Sequence, residues 1–399
     1  MATEYQTLEH CVACDSNQLF PVLDLGQQPL ANNLLADRLP APRYPLALHT
    51  CGACWHSQLS VAVDPGLMFK RYLYLSGTSQ TLRDYCDWFA QRATNRFGYA
   101  GSVLDVACND GTQLNSFAEF GWQTSGIDPA RNLVNRHEHD VVVDFCENVD
   151  RPFSVDLITA QNVLAHTGHP VELLKKMKSW LKPHGEIQIQ TSQANMFING
   201  EFDTMYHEHV SFFSVSSMCA LAERAGLTVT EVEFTPIHGT SYLFTLKHEG
   251  ECVMPDQYDV HRYVPYTYKT FAETARTAMV QTKFAIDSYR RQGYNCIGYG
   301  AAAKGITFLN SAGIQLDRIL EDNDWKCGRY TPGNLIPIYS ADYNTKQDRD
   351  SEKYLFVILA WNFFDEIKAK ITDQCYALGI KNASFITYFP EFRDEKLIG

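Results

Sequence analysis

The chain has 399 residues, of which 45% are hydrophobic, 20% charged and 13% aromatic, with a formal net charge of -12. That length allows more than one hydrophobic core. An acidic balance without any block of Lys and Arg excludes nucleic acid and anionic membrane as partners, leaving a small anion held by local donors. No apolar run reaches membrane-spanning length, and the start "MATEYQTLEHC" has neither the basic nor the apolar region of a signal peptide, so a soluble cytoplasmic protein is expected.

Residues 1–80 hold two knuckles, "CVAC" (Cys11, Cys14) and "CGAC" (Cys51, Cys54), joined by proline-rich, weakly periodic sequence. Four thiolates in two Cys-x-x-Cys pairs are what a closed tetrahedral zinc site needs, and a closed shell makes the metal structural. A redox dithiol or two unrelated thiol pairs are the other readings. The spacer is expected to form a small loop-rich subdomain. The chain's other eight cysteines, Cys86, Cys108, Cys146, Cys219, Cys252, Cys296, Cys327 and Cys375, are scattered singly and read mostly as small buried side chains.

Residues 81–248 alternate strand and helix. "TLRDYCDWFAQRATNRF" is an amphipathic helix, and "SVLDVACNDGTQLNSFAEFG" reads as strand, tight turn and helix. Further strands follow in "QTSGIDPA", "HDVVVDF", "VDLITAQNVLAH" and "EIQIQTSQ". The helix "VELLKKMKSWLKPHG" is expected to stop at Pro183 and Gly185. The alternation predicts a doubly wound parallel sheet, and "LTVTEVEFTPIHGTSYLFTLKH" closes it with two extended runs around a turn. That closing pair is the usual ending of the seven-stranded class I methyltransferase sheet. Between Asp105 and the next helix, Ala107, Asn109 and Gly111 form a turn of small residues that lets backbone approach a ligand. Asp128 ends the next strand, where an acid can accept both hydroxyls of an adenosine ribose. Turn, acid and closing pair point to S-adenosylmethionine (SAM) rather than NAD, and Asn162 completes the candidate cofactor set.

Residues 249–399 begin a second α/β unit: a long helix in "YKTFAETARTAMVQTKFAIDSYRRQG", then strands in "NCIGYG", "DRILEDND", "LIPIYS" and "KYLFVILAWNF". "GYGAAAKG" is a Rossmann-like turn. Gly300 and Lys304 could hold a diphosphate, or the glycines could serve packing alone. The spacing departs from the dinucleotide fingerprint.

The stretch "TMYHEHVSFFS" places Tyr206, His207, Glu208 and His209 in a row. In a strand, His207 and His209 would share a face and could bind one ion; as an acid–base pair, a histidine titrates near neutrality and a carboxylate orients it. A solvated run is the third reading, against which stand the aromatic flanks Phe212 and Phe213.

With these pieces in place, the whole chain resembles the nucleotide-sugar C-methyltransferases of branched deoxysugar biosynthesis. The phrases that carry the resemblance are "YLYLSGTS", "VACNDGT", "NVLAH", "YHEHVSFFS", "IHGTSY", "GYGAAAKG", "GRYTPG" and "LAWNF". Ser76-Gly77 stands where the family usually has two serines, and the SAM turn begins with Ala107 where it more often has Gly. The resemblance implies a zinc module, a SAM domain and a C-terminal Rossmann-like domain that contributes to the sugar-nucleotide site. It implies methylation, typically at carbon 3, of a 4-keto-6-deoxy sugar on a nucleoside diphosphate. It also assigns roles. His209 is the base, Glu208 its neighbour and Tyr206 a hydrogen-bonding partner of the enolate or sugar. His166 is a second active-site histidine and the rival base. Tyr74 reaches into the sugar site, with Tyr72 as the alternative in register, and His238 joins the substrate residues. A sugar O-methyltransferase, an NAD(P)-dependent sugar oxidoreductase and a zinc-bearing binding protein with a dead transferase domain are the competing functions. A monomer is compatible with the sequence.

Overall fold

The computed structural model describes residues 4–70, 72, 75–133, 138–192, 195–237, 240–259, 263–341 and 353–397. Tyr74 and His238 lie outside the described residues. The chain divides into two compact units: residues 1–21, 48–195 and 208–264 form the first, and residues 22–47, 196–207 and 265–399 the second.

The N-terminal segment forms β1 (Tyr5–Thr7), β2 (Leu19–Gln28), β3 (Tyr44–Cys51), β4 (Ser57–Leu59) and β5 (Val61–Val63). The spacer between the knuckles carries two of these strands, β2 and β3, on either side of the loop of residues 29–43. Pro21 and Pro45 fall near the starts of β2 and β3, where a missing N–H is tolerated, so proline content hid two strands. The division between the units passes through both of these strands.

A cap at each end frames α1 (Gln80–Phe97): the Ser79 side chain accepts from Leu82 N, and Gly98 closes the helix at φ 73°. The sheet strands and helices then alternate as β6 (Ser102–Val106), α2 (Thr112–Glu119), β7 (Gln123–Ile127), β8 (Asp140–Val142), β9 (Val155–Gln161), α3 (Pro170–Trp180) and β10 (Leu181–Thr191). α3 ends at Trp180, before the residues expected to stop it. Pro183 and Gly185 lie instead in the irregular start of β10, where the register against β9 shifts between Leu181 and Glu186. A Cβ on Gly185 would meet the Asp156 carbonyl at 2.8 Å, which is why the strand takes a glycine there.

Helix α4 (Met196–Asn199) belongs to the second unit. Next, β11 (Ser211–Phe212) pairs with β4, α5 (Val215–Arg224) starts on a Ser214/Ser217 capping box, and β12 (Thr228–Thr235) and β13 (Ser241–Lys247) run antiparallel. The seven-stranded order is β12-β13-β10-β9-β6-β7-β8, with β6 to β10 parallel and the last pair antiparallel. This is the class I methyltransferase sheet the sequence predicts. Phe89, Phe117 and Trp122 pack on one side of it, under α1 and α2. Leu174, Met177, Met218 and Leu221 pack on the other, under α3 and α5. The strand order reverses between the parallel neighbours β6 and β9, so their carboxyl ends open the crevice where such sheets bind ligands.

After a short α6 (Asp256–Asp259), the second unit adds α7 (Pro265–Arg291), β14 (Asn295–Tyr299), α8 (Ala303–Ser311), β15 (Arg318–Glu321), β16 (Ile338–Ser340), β17 (Lys353–Ile358), α9 (Phe364–Leu378), β18 (Asn382–Thr387) and β19 (Arg393–Lys396). Its six-stranded sheet, ordered β16-β15-β14-β17-β18-β19, is parallel except for β19. No helix among the described residues is long and apolar enough to cross a membrane.

Candidate active site and zinc module

The two knuckles fold alike. Asp15 N donates to the Cys11 carbonyl (2.8 Å) and Trp55 N to the Cys51 carbonyl (3.0 Å), and both residues adopt left-handed backbone, φ 67° and 59°. The turns bring the sulfurs together: Cys11 Sγ lies 3.6 Å from Cys54 Sγ and Cys14 Sγ 3.6 Å from Cys51 Sγ, with all four within 4.8 Å of one another. A tetrahedral zinc with Zn–S of about 2.3 Å would put sulfurs about 3.8 Å apart, so the donor set fits. Such crowding calls for a cation. The Cys54 thiol is pushed up, chiefly by its contact with Cys11, and Cys14 is pushed up to about 11, chiefly by burial. Among the described residues this is the one group of His, Cys, Asp and Glu placed to hold a metal. The reading of His207 and His209 as shared ligands therefore falls: the stretch is not a strand, and His207 instead donates Nε2–H to the Pro45 carbonyl (3.2 Å) with its ring edge-on to Tyr44.

The zinc module buttresses the segment that follows Glu208. β11 pairs with β4 through Ser211–Gln58 and Phe212–Ser57, and Leu59 N donates to the Val210 carbonyl (2.9 Å). Ser214 Oγ donates to the Cys54 carbonyl (3.2 Å), and the His56 ring bonds Ser211 Oγ (3.2 Å) and packs on Phe213.

On that support sits a histidine pair. The His166 and His209 rings stack with centroids 5.2 Å apart and planes at 27°. His166 follows β9, and its Nδ1 lies 2.5 Å from the Glu208 carbonyl. A carbonyl only accepts, so Nδ1 carries the proton and Nε2 the lone pair. Burial pushes the His166 pKa down, which keeps the ring neutral. Tyr72 OH donates to Glu208 Oε2 (3.4 Å), and Phe69 packs against both Tyr72 and His166. Of the sequence's candidates, His166, Glu208, His209 and Tyr72 thus come together. Tyr206 falls in the second unit by the division at His207, as do Gly300 and Lys304. Phe69 was not singled out in the sequence, and nothing in its flanks marks it.

At the cofactor turn, β6 ends in Asp105 and Val106, and Ala107 and Asn109 take left-handed backbone (φ 58° and 52°) ahead of Gly111 (φ 82°). Asp128 organises it: Oδ2 accepts Asn109 N (2.9 Å) and Oδ1 accepts Ala130 N (2.8 Å). Burial, reinforced by the Asp128 charge, pushes Asp105 well above the usual carboxylate range; burial also raises Asp128. Asn162, left-handed at φ 55°, accepts from Ser192 Oγ (2.7 Å). Strained backbone gathered at two neighbouring strand ends, with a buried acid beside it, is a cradle for a ligand's polar edge, and SAM fits it. The sequence reading missed the latch over this turn: Ser76 N donates to Asn109 Oδ1 (3.0 Å) and Gly77 N to Asp110 Oδ2 (2.8 Å). Gly77 is a glycine for this approach, since a Cβ there would meet Thr112 Oγ1 at 2.7 Å.

In the second unit, the glycines of "GYGAAAKG" have packing reasons. A Cβ on Gly298 would meet Ile319 at 2.9 Å, and on Gly305 Leu359 at 2.6 Å. Gly300, left-handed at φ 91°, would meet Ala360 at 2.9 Å. Lys304 Nζ lies 4.7 Å over the Trp361 ring and 3.9 Å from Glu201 Oε2. Asp203, buried, accepts from Trp361 Nε1 (2.7 Å) and Tyr388 OH (2.6 Å).

Three family descriptions match the chain in order: "Putative zinc binding domain" over residues 11–69, "Methyltransferase domain" over 78–232 and "C-methyltransferase C-terminal domain" over 257–390. The C-methyltransferase NovU of Streptomyces niveus is 27% identical over 387 residues, covering 90% of this chain and 91% of that protein. A ubiquinone biosynthesis O-methyltransferase of Aeromonas salmonicida is 24% identical over 38% of this chain and 73% of its own length. Among solved structures, the PH0226 protein of Pyrococcus horikoshii aligns over 47% of this chain and 97% of its own, with TM-score 0.37 and 13% identity. The chain is a SAM-dependent C-methyltransferase. It is of the NovU-like kind, built from a zinc-binding domain, a methyltransferase domain and a C-methyltransferase C-terminal domain.

Proposed function

We propose that the chain methylates carbon 3 of a nucleoside-diphosphate-linked 4-keto-6-deoxy sugar through an enolate, in the cytoplasm. The observation that carries this reading is the His166–His209 stack beside Glu208 and Tyr72, just beyond the carboxyl end of β9. Carbon methylation beside a ketone needs a base near neutrality, a donor for the developing oxyanion and an ordered approach of the two reactants. His209 takes the carbon-3 proton. The stacked rings favour one imidazolium between them, so neutral His166 supports the charge that His209 acquires. Tyr72, which donates its O–H to Glu208, lies beside the pair as a substrate residue whose oxygen can accept from a sugar hydroxyl, and Tyr206, Tyr74 and His238 keep the substrate roles that the resemblance gives them. Asp128 holds the SAM ribose with the lone pairs that its backbone donors leave, and Asp105, Ala107, Asn109, Gly111 and Asn162 line the remainder. SAM supplies an electrophilic methyl group. The zinc is structural, fixing the strand pairing that carries His209. The domains run 1–80, 81–248 and 249–399, and Gly300 and Lys304 keep the substrate roles that the resemblance gives them.

The test is mass spectrometry after incubation with SAM and a panel of nucleotide-linked 4-keto-6-deoxy sugars, with deuterium exchange at carbon 3 in the absence of SAM. A methylated product and exchange that vanishes in His209→Asn support the reading. Methylation of a hydroxyl with no exchange overturns it. Exchange that survives in His209→Asn and vanishes in His166→Asn moves the base to His166.

A further inference from the structure

Cys219 and Cys252 read as unrelated single cysteines in the sequence, but the fold brings them together. Cys219 lies on α5, half-buried, and Cys252 lies in the exposed segment after β13. Their sulfurs are 3.5 Å apart although the residues are separated by 33 positions. Among the described residues outside the four-cysteine cluster, this is the one pair of thiols within hydrogen-bond reach. Both positions are held by ordered neighbours. The α5 N-terminus is capped by Ser214 and by Asp259, which accepts from Val215 N (3.2 Å) and Ser216 N (2.6 Å). The residue after Cys252 is pinned to β12 by Val253 N donating to the Val229 carbonyl (3.0 Å). A bonded S–S distance of about 2.05 Å is within reach of side-chain rotation from this spacing.

We propose that Cys219 and Cys252 form a dithiol–disulfide site, oxidised reversibly by a low-molecular-weight disulfide of the glutathione kind. The exposed Cys252 thiolate attacks one sulfur of the small disulfide, forming a mixed disulfide and expelling one small thiolate. Cys219 then gives up its proton to water, attacks the Cys252 sulfur and expels the second small thiolate. The two cysteines together lose two electrons and two protons, and the small disulfide is reduced to two thiols. The order follows from exposure: burial and the neighbouring Cys252 thiol raise the Cys219 pKa, which suits it to the resolving step rather than the first attack. The product closes a covalent ring around β12 and β13, the antiparallel end of the methyltransferase sheet.

The experiment treats zinc-loaded full-length protein with oxidised glutathione and follows thiol count, intact mass and peptide linkage. The expected result is loss of two thiols, a Cys219–Cys252 cross-link, retention of zinc and full reversal by dithiothreitol. Cys219→Ser should instead stop at a stable glutathione adduct on Cys252, and Cys252→Ser should leave Cys219 unmodified over the same exposure. SAM binding by both variants confirms that they fold. Wild-type protein that accumulates the Cys252 adduct with Cys219 still a thiol, or that shows no reaction at either sulfur, overturns the proposal.

Discussion

Each unit contains a strand, a tight turn and a helix, with an acid at the end of the neighbouring strand, and the two acids work alike. Asp128 accepts Asn109 N (2.9 Å) from the turn and Ala130 N (2.8 Å) two residues on. Glu321 accepts Ala301 N (2.8 Å) from its turn and Asn323 N (3.0 Å) two residues on. What differs is the charge around them. Lys326 Nζ sits 3.5 Å from Glu321 Oε2 and donates to the Ala301 carbonyl (3.1 Å), so a cation already occupies the edge of that turn. Among the described residues Asp128 has no ion pair, and burial raises its pKa. The first turn also carries left-handed Ala107 and Asn109, whereas the second spends its glycines on close packing. One backbone pattern therefore sits in two electrostatic settings: an acid without an ion pair among the described residues, and an acid held beside a lysine.

The largest test removes the metal. Chelation, or Cys51→Ser, should unfold the zinc module, because structural zinc contributes on the order of 10 kcal/mol or more to such folds. Since β4 carries β11, SAM-dependent turnover should be abolished while amide protection at β14 and α8 persists. Intact turnover in metal-free protein would break the link between module and His209. Next in size, His209→Asn should lower turnover about 10²- to 10⁴-fold with SAM affinity nearly unchanged, the usual contribution of general-base assistance.

A direct comparison of the two acids follows. Asp128→Ala should weaken SAM binding by about 1.5–3 kcal/mol, the range for hydrogen bonds to a charged group, and Glu321→Ala should leave it unchanged. Calorimetry on both variants decides; equal losses would mean that the two turns are not divided as argued. A smaller effect is expected at the latch. Gly77→Ala forces a Cβ toward Thr112 Oγ1, which overpacking data place at about 1–3 kcal/mol, and adding Thr112→Ala should recover most of the lost SAM affinity.

How far the sequence discloses these features depends on what each one demands of the chain. "VACNDGT" was legible because left-handed backbone and close approach restrict residue choice position by position. The knuckles were legible because four thiols within 4.8 Å need a fixed spacing on each side. The row Tyr206 to His209 was only half legible. Its residue types left metal, acid–base and solvated readings open, and no periodicity announces that the division between units falls after His207. The helix in "VSSMCALAER" went unassigned in the sequence, although Ser214 and Ser217 form its capping box. The Cys219–Cys252 pair depends on a strand pairing that brings distant segments together, and no local pattern encodes it.

The smallest expected effect concerns His207, the neighbour of Glu208 that belongs to the other unit. Its ring is buried, 1% exposed, and burial pushes its pKa down to about 4. Between that value and the unfolded value near 6.5, the unfolded chain binds a proton that the folded chain refuses. Stability therefore rises with pH across this window: His207's contribution is complete above about pH 6.5 and is lost as pH falls toward 4. The slope from one group is about 1.4 kcal/mol per pH unit, so this histidine accounts for about 2 kcal/mol between pH 6.5 and pH 5. His207→Gln keeps a donor for the Pro45 carbonyl but cannot titrate. Urea unfolding of the second unit at the two pH values should show the wild-type difference shrinking by about that amount in the variant. An identical pH dependence in both proteins would mean that His207 is protonated in the fold, and that it does not behave as the buried neutral anchor its contacts with Pro45 and Tyr44 describe.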